Sequence, residues 1–351
     1  MRLLFLQRNA QIGGGNTYLR AVGPELAARG HELHLMVGPG PLWRELRADV
    51  GSLLWRPPLE SIGRLWVDRA VRRLGIEAVD AHTYKTGRTA LGACRRAQIP
   101  LIQHVHSLIP LEDAADVLAA AARIVVMNRA VRDWVCQVEG VAPKVLQSVL
   151  PVDPRRFHPL PAPKHQAFRV LYCGRLARRK AAYVLAILQE LPALARRIPN
   201  IELAVVGGRS HRRHVARAAA EVNRALGREA VQMLGQLREP AAEIAAADLV
   251  VGTGYVALEA LACGRHFIGV GIQGLTGFVT PDTYRASADA NFGDHAALER
   301  DVTPARLREA ILEAYEVWQT QPLADWAPPI IASEHSPARV ADDLEHAFGL
   351  R

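Results

Sequence analysis

A strand, a glycine loop and a short helix follow one another in the stretch Leu249-Val250-Val251-Gly252-Thr253-Gly254-Tyr255-Val256-Ala257-Leu258-Glu259-Ala260-Leu261-Ala262-Cys263-Gly264. The apolar run at 249–251 indicates a buried strand, and glycines let the backbone turn sharply into the helix. Glu259 is the only carboxylate of that helix. Burying it is costly unless it is hydrogen-bonded, and the vicinal hydroxyls of a ribose would satisfy both oxygens. We interpret Glu259 as a ribose ligand; the alternative, a surface glutamate, is disfavoured by its apolar neighbours.

The same alternation of strands and helices extends along the whole chain in both directions. It predicts first-half strands at 3–6, 31–37, 76–81, 101–105, 124–127 and 144–149, and second-half strands at 168–173, 201–206, 230–234, 249–251 and 266–270. Amphipathic helices are expected at 17–29, 304–319 and 337–348. This pattern is typical of an α/β protein with two Rossmann-like, doubly wound parallel-sheet domains, which we expect to face each other across a cleft.

A proline-rich connector separates the two halves. Five prolines fall in thirteen residues, a composition that indicates a stiff extended segment: Pro151, Pro154, Pro159, Pro161 and Pro163. We therefore expect an N-terminal domain at 1–155, a C-terminal domain at 156–330, and a C-terminal helix at 331–351 that packs back on the N-terminal domain.

The charge and residue composition of the chain indicate what kind of molecule it binds. The net charge of +8 favours an anionic partner: nucleic acid, an acidic membrane face or a phosphorylated small molecule. Few aromatic residues interleave with the arginines, which disfavours nucleic acid. Four widely spaced cysteines (Cys94, Cys136, Cys173 and Cys263) argue against a zinc cage or disulfide framework. With only a short apolar run at the amino end, we expect a cytoplasmic protein, with any membrane association at the inner surface.

Two glycine-containing loops are candidate phosphate sites. Gly13-Gly14-Gly15 follows the first strand and opens a helix, where free N–H groups can meet a phosphate; a purely structural turn is the equal alternative. The spacing is not that of a dinucleotide fingerprint, which disfavours a dehydrogenase. In the second half Arg175 and Lys180 flank the start of a helix, where fixed cations would stabilise a leaving diphosphate. A solvated basic helix turn at 178–180 is the alternative.

Two histidines end the predicted strand at 101–105. His104 and His106 stand at i and i+2 and therefore point the same way, at the sheet edge where open α/β sheets bind ligands. A metal pair is one interpretation, but no cysteine or acidic residue is close by in sequence to complete it. We interpret His106 as a polar contact to a sugar, and leave a structural role open for His104. The chain also lacks an Asp-x-Asp motif that would hold a divalent cation on a nucleotide sugar, so no metal is expected.

Taken together, these residues resemble the retaining GT-B glycosyltransferases of the family 4 (group 1) type over nearly the whole chain. The resemblance rests on ordered motifs: Gly13-Gly14-Gly15 with Tyr18 and 26–33, Val105-His106, Val149–Asp153 with Phe157 and Pro159, Gly174-Arg175-Leu176 to Lys180, and Val256–Gly264. The chain departs from the family pattern at Ser107, which replaces an acid, and at Ala181, which replaces a glycine. The first of two glutamates eight residues apart falls on Val251, which cannot accept a hydrogen bond from a sugar.

The resemblance implies a role for each matching residue. Arg175 and Lys180 would bind the donor diphosphate, and His106 would contact the transferred sugar. Further donor contacts are implied at Gly14, Gly15, Leu237, Gly254, Tyr255, Val256 and Glu259.

We therefore expect a hexosyl-type glycosyltransferase that moves a sugar from a nucleotide-diphosphate donor to a hydroxyl acceptor. Retention of configuration, no cofactor or metal, and a place in glycan, exopolysaccharide or glycolipid synthesis are expected. The acceptor could be lipid-linked at an anionic membrane, as the arginines at 64–73 suggest, although a solvated helix also explains them. Two alternatives stay open: a non-catalytic nucleotide-sugar binder, because of Val251, and a nucleotide-sugar epimerase, which lacks a convincing acid/base pair.

Overall fold

The computed structural model describes residues 1–50, 52–161 and 167–349, and these form two compact units. The first comprises Met1–Asp153 with Glu334–Arg351, and the second comprises Pro154–Ser333. Each is a twisted sheet with helices on its faces, which confirms the predicted fold class of two doubly wound α/β domains. Pro163, the last of the five connector prolines, lies outside the described residues.

The first unit contains a seven-stranded, all-parallel sheet in the order β3-β2-β1-β4-β5-β6-β7. Its strands are β1 Arg2–Gln7, β2 Glu32–Val37, β3 Ser52–Trp55, β4 Ala78–Ala81, β5 Leu101–Val105, β6 Arg123–Val126 and β7 Val145–Gln147. Its helices are α1 Gly14–Ala28, α2 Trp43–Asp49, α3 Glu60–Leu74, α4 Tyr84–Ala97, α5 Leu111–Ala120, α6 Arg129–Val135 and the C-terminal α14 Pro337–Ala347.

The second unit contains a six-stranded sheet in the order β10-β9-β8-β11-β12-β13, and β13 is antiparallel to β12. Its strands are β8 Phe168–Cys173, β9 Ile201–Val206, β10 Val231–Gly235, β11 Leu249–Gly252, β12 His266–Gly271 and β13 Gly274–Phe278. Its helices are α7 Arg178–Arg197, α8 Arg212–Leu226, α9 Ala241–Ala245, α10 Tyr255–Ala262, α11 Pro281–Asp289, α12 Pro304–Thr320 and α13 Ala327–Glu334.

Each strand order contains one point where the winding reverses. In the first unit it lies between β1 and β4, and in the second between β8 and β11. The two strands on either side of this point are followed by helices that pack on opposite faces of the sheet. The carboxyl ends of these two strands therefore border a crevice, which is where ligands of doubly wound sheets bind. The glycine loop at 13–15 follows β1, and Arg175 follows β8. The topology therefore places the candidate loops at the switch points of their own units.

Four elements were not predicted from the sequence: β3, β13, α11 and α13. β3 is a four-residue edge strand, too short for a periodic signal. β13 contains glycines at 274 and 277, and α13 contains Pro328 and Pro329, which are residues that normally interrupt strands and helices. Helix α1 begins at Gly14, three residues before the predicted start. Tertiary packing overrides local propensity at each of these places.

Arg29, the residue that follows α1, connects that helix to the last helix of the chain, α14. Its guanidinium donates to Asp342 (2.8 Å), to Glu345 (3.1 Å) and to the carbonyl of Ala338 (2.8 Å), all on the last helix α14. Glu25, one turn earlier in α1, accepts a further hydrogen bond at 3.0 Å. The side chains of Arg29 and Glu345 are 21% and 11% exposed, whereas that of Asp342 is 48% exposed. Arg29 thus anchors α14 onto α1.

Replacing Arg29 with methionine keeps the aliphatic stem but removes the guanidinium that Glu25, Asp342 and Glu345 share. We expect a loss of about 1–3 kcal/mol in the free energy of unfolding, measured by denaturant titration. The matched control is Arg129→Met, which removes an exposed pair with Asp133 and should cost about 0.5 kcal/mol or less. Equal losses for the two variants would contradict the anchoring role.

Candidate functional site

The loop before α1 in the first unit contains the predicted phosphate site, Gly13-Gly14-Gly15. Gly14 and Gly15 form the first turn of α1, where backbone N–H groups lack helical partners. The buried Asn16 amide donates to two carbonyls of the preceding loop, at 2.9 and 2.6 Å, and so fixes its path. A Cβ at Gly15 would lie 2.6 Å from the side-chain nitrogen of Gln7. Gly15 therefore packs closely against the side chain of Gln7.

A buried cluster, here called the histidine cluster, comprises Asp80, His82, His104 and His106. His82 Nδ1 lies 2.9 Å from His106 Nε2, and the Asp80 carboxylate lies 3.0 Å from His104 Nε2 and 3.7 Å from His82 Nε2. The ring of Tyr18, from α1, packs against all three imidazoles at centroid distances of 5.2–5.4 Å. The carboxyl ends of β4 and β5 thus meet beside α1.

Burial sets the protonation of the histidine cluster. It raises the pKa of Asp80 to about 7 against the opposing effect of His82, and it lowers the pKa of His104 to about 3 and that of His82 well below its usual value. His82 and His104 are therefore neutral imidazoles with one donor and one acceptor nitrogen each. Through its bond to His106, His82 can fix the tautomer of that ring.

The three imidazoles of the histidine cluster lie close together and nearly parallel. One nitrogen from each of His82, His104 and His106 lies within 4.8 Å of the others, a spacing that metal ligands also have. The ring planes are within 13–25° of parallel, and one hydrogen bond joins His82 to His106. Sequence reasoning found His104 and His106 but missed Asp80 and His82. The available signal was their position at the end of the predicted strand 76–81, the neighbour of 101–105.

The two predicted cations of the second unit, Lys180 and Arg175, differ in burial. Lys180 is buried in the first turn of α7, and its ammonium lies 3.0 Å from Asp294. The Tyr172 hydroxyl donates to the carbonyl of Lys180 at 3.3 Å, which ties that turn to β8. Arg175 is exposed, in the loop between β8 and α7. One cation is thus held in place and the other faces solvent.

Asp294, which pairs with Lys180, directly follows a strained turn at 291–293. Asn291, Phe292 and Gly293 all have positive φ, at 50°, 53° and 94°, a conformation that is costly for the two non-glycine residues. The Asn291 carbonyl accepts a hydrogen bond from the hydroxyl of Thr253 at 2.7 Å. This turn therefore holds the β11–α10 loop as well as Asp294. Local sequence gave no signal for either contact.

Glu259 is a buried carboxyl that no described residue satisfies. It is 6% exposed, and neither a hydrogen bond nor an ion pair joins it to any described residue. Burial raises its pKa to about 8; Arg156 opposes that shift and Glu239 adds to it. One turn earlier on α10, the hydroxyl of Tyr255 is also buried without a hydrogen-bond partner among the described residues. The carboxyl of Glu259 and the hydroxyl of Tyr255 thus lie one turn apart on α10.

The remaining predicted donor contacts lie around the same strand ends. Gly254 caps α10 with a φ of 60°, and Val256 occupies the helix's first turn. Leu237 is half-buried, two residues beyond β10. Val251 is fully buried in the core of the second unit. Its side chain belongs to the apolar interior and offers nothing to a sugar.

Comparisons with known proteins agree with this architecture. The model of Glycosyltransferase Family 4 matches residues 12–156, and that of Glycosyl transferases group 1 matches residues 167–314. A D-inositol 3-phosphate glycosyltransferase of Saccharomonospora viridis is 26% identical over 325 residues, covering 75% of this chain and 74% of that protein. D-inositol 3-phosphate glycosyltransferase 1 of Catenulispora acidiphila is 30% identical over 243 residues, covering 57% of each.

Solved structures share the fold across the whole chain. HepE of Anabaena in complex with UDP superposes with a TM-score of 0.77 at 19% identity, covering 100% of both chains. A glycosyltransferase of Rickettsia africae superposes with a TM-score of 0.76 at 14% identity, covering 99% of this chain and 98% of that one.

The buried carboxyl of Glu259 makes stability depend on pH. Its folded pKa of about 8 exceeds the ordinary 4.5, so folding favours the protonated form and stability falls as pH rises from about 4.5 to 8. Glu259→Gln cannot ionise. We expect this variant to gain melting temperature relative to the ligand-free wild type between about pH 5 and pH 8, with little difference at the acidic end. The control, Glu221→Gln on the exposed face of α8, should show no such trend. A constant difference across pH would refute the assignment.

Proposed function

Because the chain belongs to the family 4, group 1 glycosyltransferases and is an enzyme of the hexosyl-transferring kind, we propose that it moves a sugar from a UDP-sugar to a hydroxyl acceptor, with retention and without a metal ion. The observation that carries the proposal is the unsatisfied, buried carboxyl of Glu259 beside the switch point of the second unit. A ribose offers two adjacent hydroxyl donors to such a group. The uridine base is proposed from HepE, whose structures hold UDP and UDP-glucose.

Lys180 and Arg175 are assigned to the leaving diphosphate. Negative charge grows on the diphosphate as its bond to the sugar breaks, and preorganised cations lower the energy of that state. Asp294 holds the Lys180 ammonium in place in a buried setting, where electrostatic interactions are stronger than in water. The exposed Arg175 can turn onto an arriving phosphate at little structural cost. Two cations would thereby supply the charge that a metal ion provides elsewhere.

His106, Gly14 and Gly15 are assigned to the transferred sugar and its phosphate, as the family resemblance implies. His82 Nδ1 lies 2.9 Å from Nε2 of His106 and so orients that ring. The Asp80 carboxyl lies on the far side of His82 and biases its tautomer. An imidazole whose orientation is fixed in this way can orient a sugar hydroxyl.

The acceptor is proposed to be lipid-linked at an anionic membrane, as in glycan, exopolysaccharide or glycolipid synthesis. The net charge of +8 and the arginines of α3 support this choice. The acceptors named for the curated relatives are themselves anionic. A negatively charged acceptor is the feature common to both observations.

A donor panel tests the identity of the nucleotide. UDP-sugars should raise the melting temperature of the wild type, since a ligand that binds only the folded state stabilises it by mass action. GDP- and ADP-sugars at the same concentration should give a smaller shift or none. Glu259→Ala should abolish the UDP-dependent shift, whereas Glu221→Ala on α8 should preserve it. A larger shift with another base would overturn the uridine assignment.

The diphosphate clamp is tested by turnover. Arg175→Ala and Lys180→Ala should each lower kcat by about 100-fold or more, the order of magnitude for a lost charge-stabilising group. The matched control is Arg178→Ala, an exposed arginine in the same helix turn, which should stay close to wild type.

Two further measurements test the absence of a metal and the retention of configuration. The wild-type rate should persist in EDTA, and the anomeric coupling in the product's NMR spectrum should match that of the donor. A normal rate in both clamp variants would exclude this site, and loss of rate in EDTA would exclude metal-free transfer.

A further inference from the structure

Large apolar side chains are exposed in one short segment of the first unit. Among the described residues, five of the seven exposed large hydrophobic side chains fall between positions 55 and 66: Trp55 (44% exposed), Leu59 (61%), Ile62 (40%), Leu65 (70%) and Trp66 (42%). The other two, Ile272 and Leu298, lie in the second unit. Scattered exposed leucines are ordinary, but a cluster of this kind marks an interaction site. We call these five residues the tryptophan patch.

Helix α3 presents the tryptophan patch because it has two apolar stripes. Gly63, Val67 and Val71 are buried in one stripe, and α3 approaches α4 closely, since a Cβ at Gly63 would lie 3.3 Å from the methyl of Thr89. The second stripe, Ile62, Leu65 and Trp66 at spacings i, i+3 and i+4, faces solvent. The fold needs only the first stripe, so the second serves another purpose.

Trp66 is joined on the surface by a second tryptophan. The ring of Trp55, at the end of the edge strand β3, meets the ring of Trp66 edge to face, with centroids 5.6 Å apart and planes at 86°. Paired aromatic rings have defined geometry and lose little conformational freedom when they are covered. Tryptophan also combines a large apolar body with an N–H donor, which suits the boundary between lipid tails and headgroups.

Arginines surround the tryptophan patch. Residues 55–73 contain five of them (Arg56, Arg64, Arg69, Arg72 and Arg73) against two carboxylates, Glu60 and Asp68. Glu60 pairs with Arg64, and Asp68 pairs with Arg72 and with Arg96. Arg69 and Arg73 are exposed, continue the outward stripe of α3, and form no ion pair with a described residue. The rim of the patch therefore carries an excess of positive charge.

We propose that the tryptophan patch docks the protein on a membrane with anionic headgroups. Leu65, Ile62 and Leu59 would enter the boundary between headgroups and acyl chains, the tryptophans would lie at headgroup level, and Arg69 and Arg73 would bind lipid phosphates. A second copy of this chain fits the same surface less well, because a two-fold contact would bring two sets of unpaired arginines together. The docking does not depend on the donor chemistry proposed above.

Vesicle flotation tests the docking. The wild type should float with vesicles of phosphatidylcholine and phosphatidylglycerol, float less with phosphatidylcholine alone, and be released by added salt through screening. Leu65→Ser with Trp66→Ser should lower the partition constant about tenfold or more, since burial of one such side chain is worth about a factor of ten. Leu298→Ser, at a leucine of the second unit that is 55% exposed, should bind as the wild type does.

The outcomes separate this proposal from its alternatives and from the proposed function. All variants should keep the melting-temperature shift with UDP, which shows that they are folded and that donor binding is a separate property. Unchanged flotation of the double variant, or no flotation of the wild type, would overturn membrane docking. A wild type that dimerises in solution without binding vesicles, and a double variant that is monomeric, would instead identify a second copy as the occupant and overturn the proposal.

Discussion

Both units depend on one constraint, which is that parallel strands can be connected only by crossovers that pack on a face of the sheet. Because right-handed crossovers are strongly preferred, a sheet covered on both faces must reverse its winding once. At that reversal two neighbouring strands send their helices to opposite faces, and their carboxyl ends stay uncovered. The glycine loop and the histidine cluster gather at this point in the first unit, and Arg175 and the β11–α10 loop do so in the second. Connectivity therefore determines where chemistry can occur before any side chain is considered.

At both places the protein keeps ionisable groups out of water. Asp80 and Glu259 are acids whose pKa values burial raises to about 7 and about 8, and Lys180 is a buried cation held by Asp294. Hydrophobic residues at these positions would give a more stable protein, because burial of an ionisable group is costly. The cost is consistent with a function, since a preorganised charge in a dry setting interacts strongly with an anionic or hydroxyl-rich ligand. The strained turn at 291–293 is a further feature that costs stability.

The two units distribute these features differently. In the first unit, the carboxylate of Asp80 lies beside the imidazoles of His104 and His82, and His82 is hydrogen-bonded to His106. In the second unit, the acid of α10 and the hydroxyl of Tyr255 lack partners among the described residues, while the lysine has one. Hydrogen-bonded imidazoles suit orientation of a neutral hydroxyl, whereas an unsatisfied acid suits capture of a ligand's donors. None of the helices in the described part of the chain is both long and apolar enough to cross a membrane.

The sequence by itself determined the order of strands and helices, the two-unit plan and the burial of Glu259. The first two follow from local periodicity, and the third follows from the apolar neighbours of a single residue. β8 and β9 were predicted with their observed bounds, since long apolar runs flanked by turns leave little choice. Only the tertiary structure decided that Asp80 and His82 join His104 and His106, that Asp294 pairs with Lys180, and that the tryptophans at 55 and 66 meet on the surface. These pairs lie 11 to 114 positions apart in the chain. No local pattern encodes such contacts, because they arise when strands far apart in sequence align their ends and when helices choose which apolar stripe to bury.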